Sequence, residues 1–357
     1  MTRDPFGGVD DYRARFAAGL ERLLDADSLG AFVLVLANAL FEPALHQRLA
    51  PALARRYREW LVRYRDDLGA GRMPDDPPDD AAVFLKLAVI GLDALSPVTH
   101  RREGPWELQF NHLRAFRPQR ASARPVEDVS APFDPSGFHF NRPFLRREIF
   151  WSGDLLGRHV DLLYNKFPFA SGHALLVPDA GAEHPQLLDE DAHSFAWGVA
   201  ERLGDALPGA ALAYNAYGAS ASVNHLHFQL CVRDAPLPVA EGHWRHNGGD
   251  VPYPTSCVAF GDRDRAWDCL ADLHFRNTPY NLLYLPRQML VLPRRAQGTV
   301  LPPVWGAGAA WYELCGGAVL FARDRYASLS AREVEAALAE LAPDPSARSR
   351  TCNTAGV

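Results

Sequence analysis

His225-Leu226-His227-Phe228-Gln229-Leu230-Cys231-Val232 reads as a strand with two chemically opposed faces. Side chains alternate across a strand, so His225, His227, Gln229 and Cys231 are expected on one face and Leu226, Phe228, Leu230 and Val232 on the other. The apolar set suits a core. The polar set does not, because each buried imidazole or carboxamide needs a hydrogen-bonding partner. Two imidazoles and an amide at alternate positions instead make a row of nitrogen and oxygen atoms suited to meeting a phosphate.

Immediately upstream, Asn215-Ala216-Tyr217-Gly218-Ala219-Ser220-Ala221-Ser222-Val223-Asn224 is small and polar. Gly218 and the alanines permit close backbone approach, and main-chain amides with Ser222 can cradle non-bridging phosphate oxygens. Neutral imidazole is a good nucleophile near neutral pH. Its attack on a nucleotide α-phosphorus gives a phosphoramidate labile enough to pass the nucleotidyl group onward. Two other readings of the pair stay open. One is metal ligation, although no third ligand stands at a suggestive spacing, so no metal is expected. The other is a structural role for both histidines.

A net charge of −6 over 357 residues argues against a general nucleic-acid binder. The five cysteines (231, 257, 269, 315 and 352) are odd in number and form no CxxC pair, so reduced thiols in a cytoplasmic protein are expected rather than a zinc ribbon or a disulfide framework. The start, MTRDPFGGVDDY, lacks the pattern of a signal peptide. The longest apolar run, Leu29 to Phe41, is too short to span a bilayer and suits a buried helix. No membrane association is expected.

The spacing of Tyr12, Phe16, Leu20, Leu23 and Leu24, and of Leu45, Leu49, Leu53, Tyr57, Trp60, Leu61, Tyr64 and Leu68, predicts helices. The arginines around the second stripe (55, 56, 58, 63 and 65) read as its solvated flank. Asp75-Asp76-Pro77-Pro78-Asp79-Asp80 is a breaker whose last acids are expected to cap a further helix. From Trp106 the chain changes character: prolines 118, 125, 132 and 135 punctuate an Arg-rich extended stretch, and short strand-like runs follow at 148–151, 159–164 and 173–177. A helix is expected from Asp189 to a stop at Gly204, then strands at 211–216, 281–284, 288–292 and 318–321. Ser330 and Glu333 form a capping box for a last helix, and the tail beyond Asp344 reads as frayed. DLLYNKFPFASGHALLVP (161–178) and NLLYLPRQMLVLPR (281–294) rhyme as two apolar hairpins, which suggests a duplication.

The HxHxQ pattern resembles the transferase branch of the histidine-triad superfamily. The longer NAYGASASVNHLHFQ resembles GDP-hexose phosphorylases, with diadenosine tetraphosphate phosphorylase and galactose-1-phosphate uridylyltransferase more distant. APFDPSGFHFN (131–141), SGHALLVP, YPTSCVAF (253–260), NTPYNLLYLPRQMLVLPR (277–294) and WYELCGG (311–317) follow that family's order. The resemblance implies an α+β fold of histidine-triad-like antiparallel sheets in two related half-domains. Residues 106–250 would be the catalytic half and 251–343 a degenerate one, with an added helical N-terminal region at 1–105 and a flexible tail at 344–357.

It implies that His227 becomes nucleotidylated, that His225 orients or polarises it, and that Gln229 contacts the α-phosphate. Asn215, Gly218 and Ser222 would line the phosphate and ribose side, with Asn224 abutting the motif. His173 falls at a supporting hairpin position, and Glu313 matches a family glutamate. Arg114, Arg117 and Arg120 lie in a basic stretch expected near phosphate, and Lys166 sits on a hairpin turn within reach of one. The implied partners are a nucleotide sugar, GDP-hexose preferred, and inorganic phosphate, with no cofactor and no nucleic acid; a homodimer is admitted. A dinucleoside polyphosphate substrate and a non-catalytic nucleotide sensor are the alternatives. Three features depart from the family: Gly316-Gly317 stands where Gly-His is usual, NKFPFASGH is closer to the diadenosine phosphorylases, and the N-terminal helical region is extra.

Overall fold

The apolar run at 29–41 becomes the centre of a helical layer. Every residue of α2 (Leu29–Ala39) is buried, and Ser28 caps it by accepting from the Ala31 amide. A helix apolar on all sides needs neighbours all round. Here α1 (Val9–Leu24), α3 (Pro43–Gly69) and α4 (Pro78–Ile90) supply them, α3 through Leu45, Leu49, Leu53, Trp60 and Tyr64. Arg55, Arg58, Arg63 and Arg65 are exposed as expected, while Arg56 bonds the Leu24 and Asp25 carbonyls at the end of α1. The computed structural model describes residues 6–118, 126, 128–301, 303, 305, 306 and 308–344; Arg120, Pro125 and the tail beyond Asp344 fall outside them.

The strands and remaining helices run in the order β1 (Thr99–Glu103), β2 (Trp106–Phe110), β3 (Ile149–Leu155), β4 (Arg158–Tyr164), β5 (Ala174–Pro178), α5 (Glu190–Ala206), β6 (Ala210–Asn215), β7 (Phe228–Val232), β8 (Val258–Phe260), α6 (Arg263–Phe275), β9 (Tyr280–Leu285), β10 (Gln288–Pro293), α7 (Trp311–Leu314), β11 (Gly317–Leu320), α8 (Arg323–Ser328) and α9 (Ala331–Glu340). Among the described residues they form an eight-stranded sheet, β3-β4-β5-β7-β6-β9-β10-β8, and a three-stranded sheet, β1-β2-β11. All pairings of the larger sheet are antiparallel; in the smaller, β11 runs parallel to β2. The fold is α+β, as the sequence implies.

The register shows how a polar group comes to stand on one face of the sheet. Directly opposed residues share a face, and one row crosses all eight strands: Ile149, Leu163, Leu175, Gln229, Ala213, Leu283, Leu290, Ala259. Gln229 is the only polar member of that row. On its flanks, Leu163 and Leu175 join Phe140, Leu145, Val177 and Val223 in a small cluster, whereas Ala213, Leu283 and Leu290 join a larger core beneath the second sheet and α7. The opposite face, with Leu226, Phe228, Leu230 and Val232, packs on the helical layer and on α5 and α6. The predicted division of the strand into two faces holds.

Several expectations are corrected. Helix α5 is capped by Asp189, but it runs past Gly204 to Ala206. A Cβ at Gly204 would lie 2.3 Å from Pro286, so this glycine serves helix–hairpin packing rather than termination. No side chain caps α4; Asp79 and Asp80 lie in its first turn. Cys231, Cys257 and Cys315 are free, whereas Cys269 is disulfide-bonded, against the expectation of reduced thiols throughout. The capping box of Ser330 and Glu333 is present as read. Among the described residues no helix is long and apolar enough to cross a membrane.

Candidate active site

The strand carrying the motif begins at Phe228, later than the sequence pattern suggests, so His225 and His227 lie in its lead-in. The reason is an inserted segment. Pairing of β7 with β6 ends at Gln229 and Ala213, and pairing with β5 ends at Phe228 and Leu176. Beyond that point the main chain bonds residues 184–186 instead. The Leu226 amide donates to the His184 carbonyl at 2.8 Å. The Gln186 carboxamide then accepts from the His227 amide at 2.9 Å and donates to the carbonyls of His227 (3.1 Å) and Asn215 (2.9 Å). One buried side chain thus replaces a rung of the ladder and satisfies backbone groups that would otherwise be orphaned. Nothing in the sequence around Gln186 signals this.

The hydrogen bonds assign both tautomers. His227 donates Nδ1–H to the His225 carbonyl at 2.8 Å, so its lone pair lies on Nε2. His225 accepts at Nδ1 from the Phe140 amide (3.0 Å) and donates Nε2–H to the Ala180 carbonyl (3.1 Å). His225 therefore supports His227 through its main-chain oxygen, while its ring is committed elsewhere. The Phe140 ring sits 5.1 Å from His227 and 5.5 Å from His225, and Phe133 lies 5.2 Å from His225. Burial among these groups pushes both imidazoles down to about 4, so both are neutral near pH 7.

Gln229 is held by its oxygen. His173 accepts at Nδ1 from the Phe169 amide (3.4 Å), which leaves Nε2–H to donate to Gln229 Oε1 at 3.0 Å. The Trp311 indole N–H donates to the same oxygen at 2.9 Å. An indole nitrogen only donates, so the oxygen must face it. The Gln229 NH₂ group is left as a donor with no partner among the described residues. Trp311 also donates its amide to Asn215 Oδ1 at 3.0 Å, which Asn281 approaches at 2.6 Å. One residue of α7 thereby sets the side chains of two neighbouring strands. His173, wholly buried and beside Arg114, is pushed down to about 3 and stays neutral.

The 216–222 loop turns at Gly218, whose φ of +85° is the left-handed region open to glycine. Its shape is set from outside: the Gln297 amide donates to the Gly218 carbonyl, the Gln297 carboxamide accepts from the Ser220 amide, and Asn281 donates to the Ala219 carbonyl. Ser222 is exposed.

Three expected substrate contacts have other roles. Asn224 is fully used, accepting from the Gln186 amide and donating to the Ala131 and Pro132 carbonyls. Lys166 pairs with Asp80 of α4. Arg114 bonds the Phe167 carbonyl and lies over the Phe169 ring at 4.8 Å; burial first, then Arg117, pushes it down to about 9. Glu313 accepts from the Ala310 amide at 2.9 Å, and burial raises its carboxyl above the usual range. Among the described residues, no group of three or more His, Cys, Asp or Glu side chains is placed to hold a metal ion.

These buried imidazoles predict acid lability. His173, His225, His227 and His274 all have folded values of about 3 to 4, below the unfolded value of about 6.5. Their contribution is intact above pH 6.5 and is lost as pH falls toward 4, because the unfolded chain then binds more protons. Glu148, raised to about 7 by burial, works in the opposite sense between pH 7 and 4.5. His100, His193 and His246 are also lowered by burial, against Asp76 and Glu313 raised by it, so the histidines outnumber the opposing carboxyls and the balance is a net loss. The melting temperature should therefore fall steadily between pH 6.5 and 4, and a flat profile would contradict the burial described.

Residues 104–231 match the family described as GDPGP1-like, N-terminal domain. GDP-D-glucose phosphorylase 1 of Homo sapiens is 34% identical over 151 residues, covering 38% of this chain and 39% of that protein. GDP-L-galactose phosphorylase 1 of Arabidopsis thaliana is 28% identical over 201 residues, covering 49% of this chain and 45% of that protein. The matches thus span less than half the length of these relatives. The crystal structure of yeast Ap4A phosphorylase Apa2 superposes with a TM-score of 0.48 at 17% identity, over 75% of this chain and 95% of that one. The stretch from Gly104 to Cys231, which holds the histidine motif and the hairpin gripping Gln229, is thus similar to that N-terminal domain, and the resemblance to GDP-hexose phosphorylases read from the motif holds.

Proposed function

We propose that the chain is a nucleotidyltransferase that cleaves a nucleoside diphosphate sugar, GDP-hexose preferred, with inorganic phosphate. The observation that carries the reading is the polarity of His227: Nδ1–H is held by a carbonyl, and the unprotonated Nε2 belongs to a neutral ring. Nε2 attacks the α-phosphorus, and the bond from that phosphorus to the bridging oxygen breaks, releasing hexose 1-phosphate. The Nδ1 proton stays on the ring, and the His225 carbonyl steadies the charge that develops there. Phosphate oxygen then attacks the same phosphorus, the P–N bond breaks, and GDP leaves with His227 neutral again. Gln229 NH₂ donates to a non-bridging α-oxygen throughout. Asn215, Gly218 and Ser222 form the phosphate and ribose side. Two related halves, 106–250 and 251–343, fit the placement of both rhyming hairpins in one sheet, and the free thiols of Cys231, Cys257 and Cys315 fit a cytoplasmic setting, with Cys269 the exception.

The loop NKFPFASGH favours a second reading, in which the substrate is a dinucleoside polyphosphate and the intermediate is the same. A panel of nucleotide sugars and dinucleoside polyphosphates, incubated with and without phosphate and resolved by ion exchange, separates the two. GDP released from a GDP-hexose only when phosphate is present is the expected result. Cleavage confined to the polyphosphates would transfer the assignment to the second reading. Tight nucleotide binding with no turnover on any member would leave a sensor.

A further inference from the structure

The helical region lies outside the matched family stretch; besides packing on the apolar face of β7 it grips one loop that leads to the polar face. Residues 165–173, between β4 and β5, form an irregular loop whose central residues 167–170 are buried. A buried loop must find partners for its carbonyls without a ladder. Side chains from the first 114 residues supply them. Asn38 of α2 donates to the Asn165 carbonyl (3.0 Å), Tyr12 of α1 to the Gly172 carbonyl (2.6 Å), and Asp80 of α4 binds the Lys166 ammonium. Gln109, Asn111 and Arg114 take the carbonyls of Phe169, Pro168 and Phe167.

The same loop sets the chemistry. It places the Phe169 amide on His173 Nδ1, which puts the His173 proton on Nε2, and that proton holds Gln229 Oε1. A loop shift that frees Nδ1 removes one of the two anchors of the carboxamide oxygen and leaves it on the Trp311 indole alone, so the NH₂ group is aimed less firmly at a phosphate.

We propose that the N-terminal helical layer is a positioning device for nucleotidyl transfer: Tyr12, Asn38 and Asp80 are positioning residues that fix the 165–173 loop, and through it His173 and the Gln229 amide. The inference rests on the function proposed above. It gives the helices a catalytic role that is separate from core burial.

The test uses the full chain with Tyr12→Phe, Asn38→Ala, Asp80→Asn, Lys166→Met and the Asp80→Asn/Lys166→Met pair. Tyr57→Phe is the control, because it removes a comparable hydroxyl-to-carbonyl bond, to Leu87, inside the helical layer and away from the loop. Two readouts are taken on variants that melt cooperatively: hydrogen exchange of 165–173, and kcat and KM for phosphate-dependent cleavage. Tyr12→Phe and Asn38→Ala should speed exchange in the loop and lower kcat about ten- to a hundredfold, with KM within about twofold. The charge pair should be non-additive, the double variant no worse than the poorer single one. Tyr57→Phe should match the wild type in both. Unchanged loop exchange, or faster exchange with unchanged kcat, overturns the proposal. A kcat loss equal in Tyr57→Phe would overturn it as well, since general destabilisation then explains the effect. Should the wild type itself not turn over, the functional reading and the catalytic role fall together, and the exchange data still report whether the clamp exists.

Discussion

His227→Ala is expected to lower phosphate-dependent cleavage by about 10⁴-fold or more and to abolish any acid-labile nucleotidyl adduct. The size follows from what else the site contains. His225 cannot substitute as nucleophile, because its Nδ1 lone pair is held by the Phe140 amide and its Nε2 carries a proton directed at Ala180. Cys231, on the same face, is buried with its thiol pushed up to about 11, so it offers almost no thiolate at neutral pH. The measurement is incubation with radiolabelled nucleotide sugar, followed by denaturation and acid treatment. An adduct of wild-type stoichiometry on the alanine variant would move the nucleophile elsewhere. The same geometry gives a pH dependence: cleavage should be constant from pH 8 down toward the value of about 4 set by burial of His227, and fall below it as Nε2 is protonated.

Gln229→Leu should cost about 10²- to 10³-fold in kcat, the usual loss for one donor to a developing oxyanion. Leucine also strands two buried donors, the His173 Nε2–H and the Trp311 indole N–H, each left without its acceptor. Trp311→Phe tests orientation alone. It leaves Gln229 in place and removes one of its two anchors, so kcat should drop about tenfold while adduct chemistry survives. If Gln229→Leu retained wild-type kcat, the amide would not be the α-phosphate donor. If Trp311→Phe matched Gln229→Leu, the indole would be contacting substrate rather than the amide.

The contrast between these residues shows what was readable. Strand alternation separated the reactive face of β7 from its packed face, because a period of two depends only on backbone geometry. A neutral histidine beside a carboxamide, next to a loop of small residues, pointed to phosphate chemistry from residue types alone. Helix α2 was legible as an unbroken apolar run, and the last capping box as a four-residue pattern. Local periodicity and local hydrogen bonding are properties of neighbours in sequence.

What joins distant parts was not legible. Gln186 lies 41 residues before His227 and Trp311 lies 82 after Gln229, and neither has a local pattern marking it as a rung or an anchor. Lys166 and Arg114 were read as phosphate ligands by charge, yet each is neutralised or shielded by a partner that only packing supplies. The sequence by itself determined the chemistry available: which strand, which imidazoles, which amide. Only the tertiary structure decided which nitrogen of His227 is bare, which way Gln229 faces, and that a helical layer outside the motif grips the loop leading to His173. The reason is that a tautomer and a carboxamide orientation are fixed by hydrogen-bond partners, and those partners are brought together by the fold rather than by adjacency in the chain.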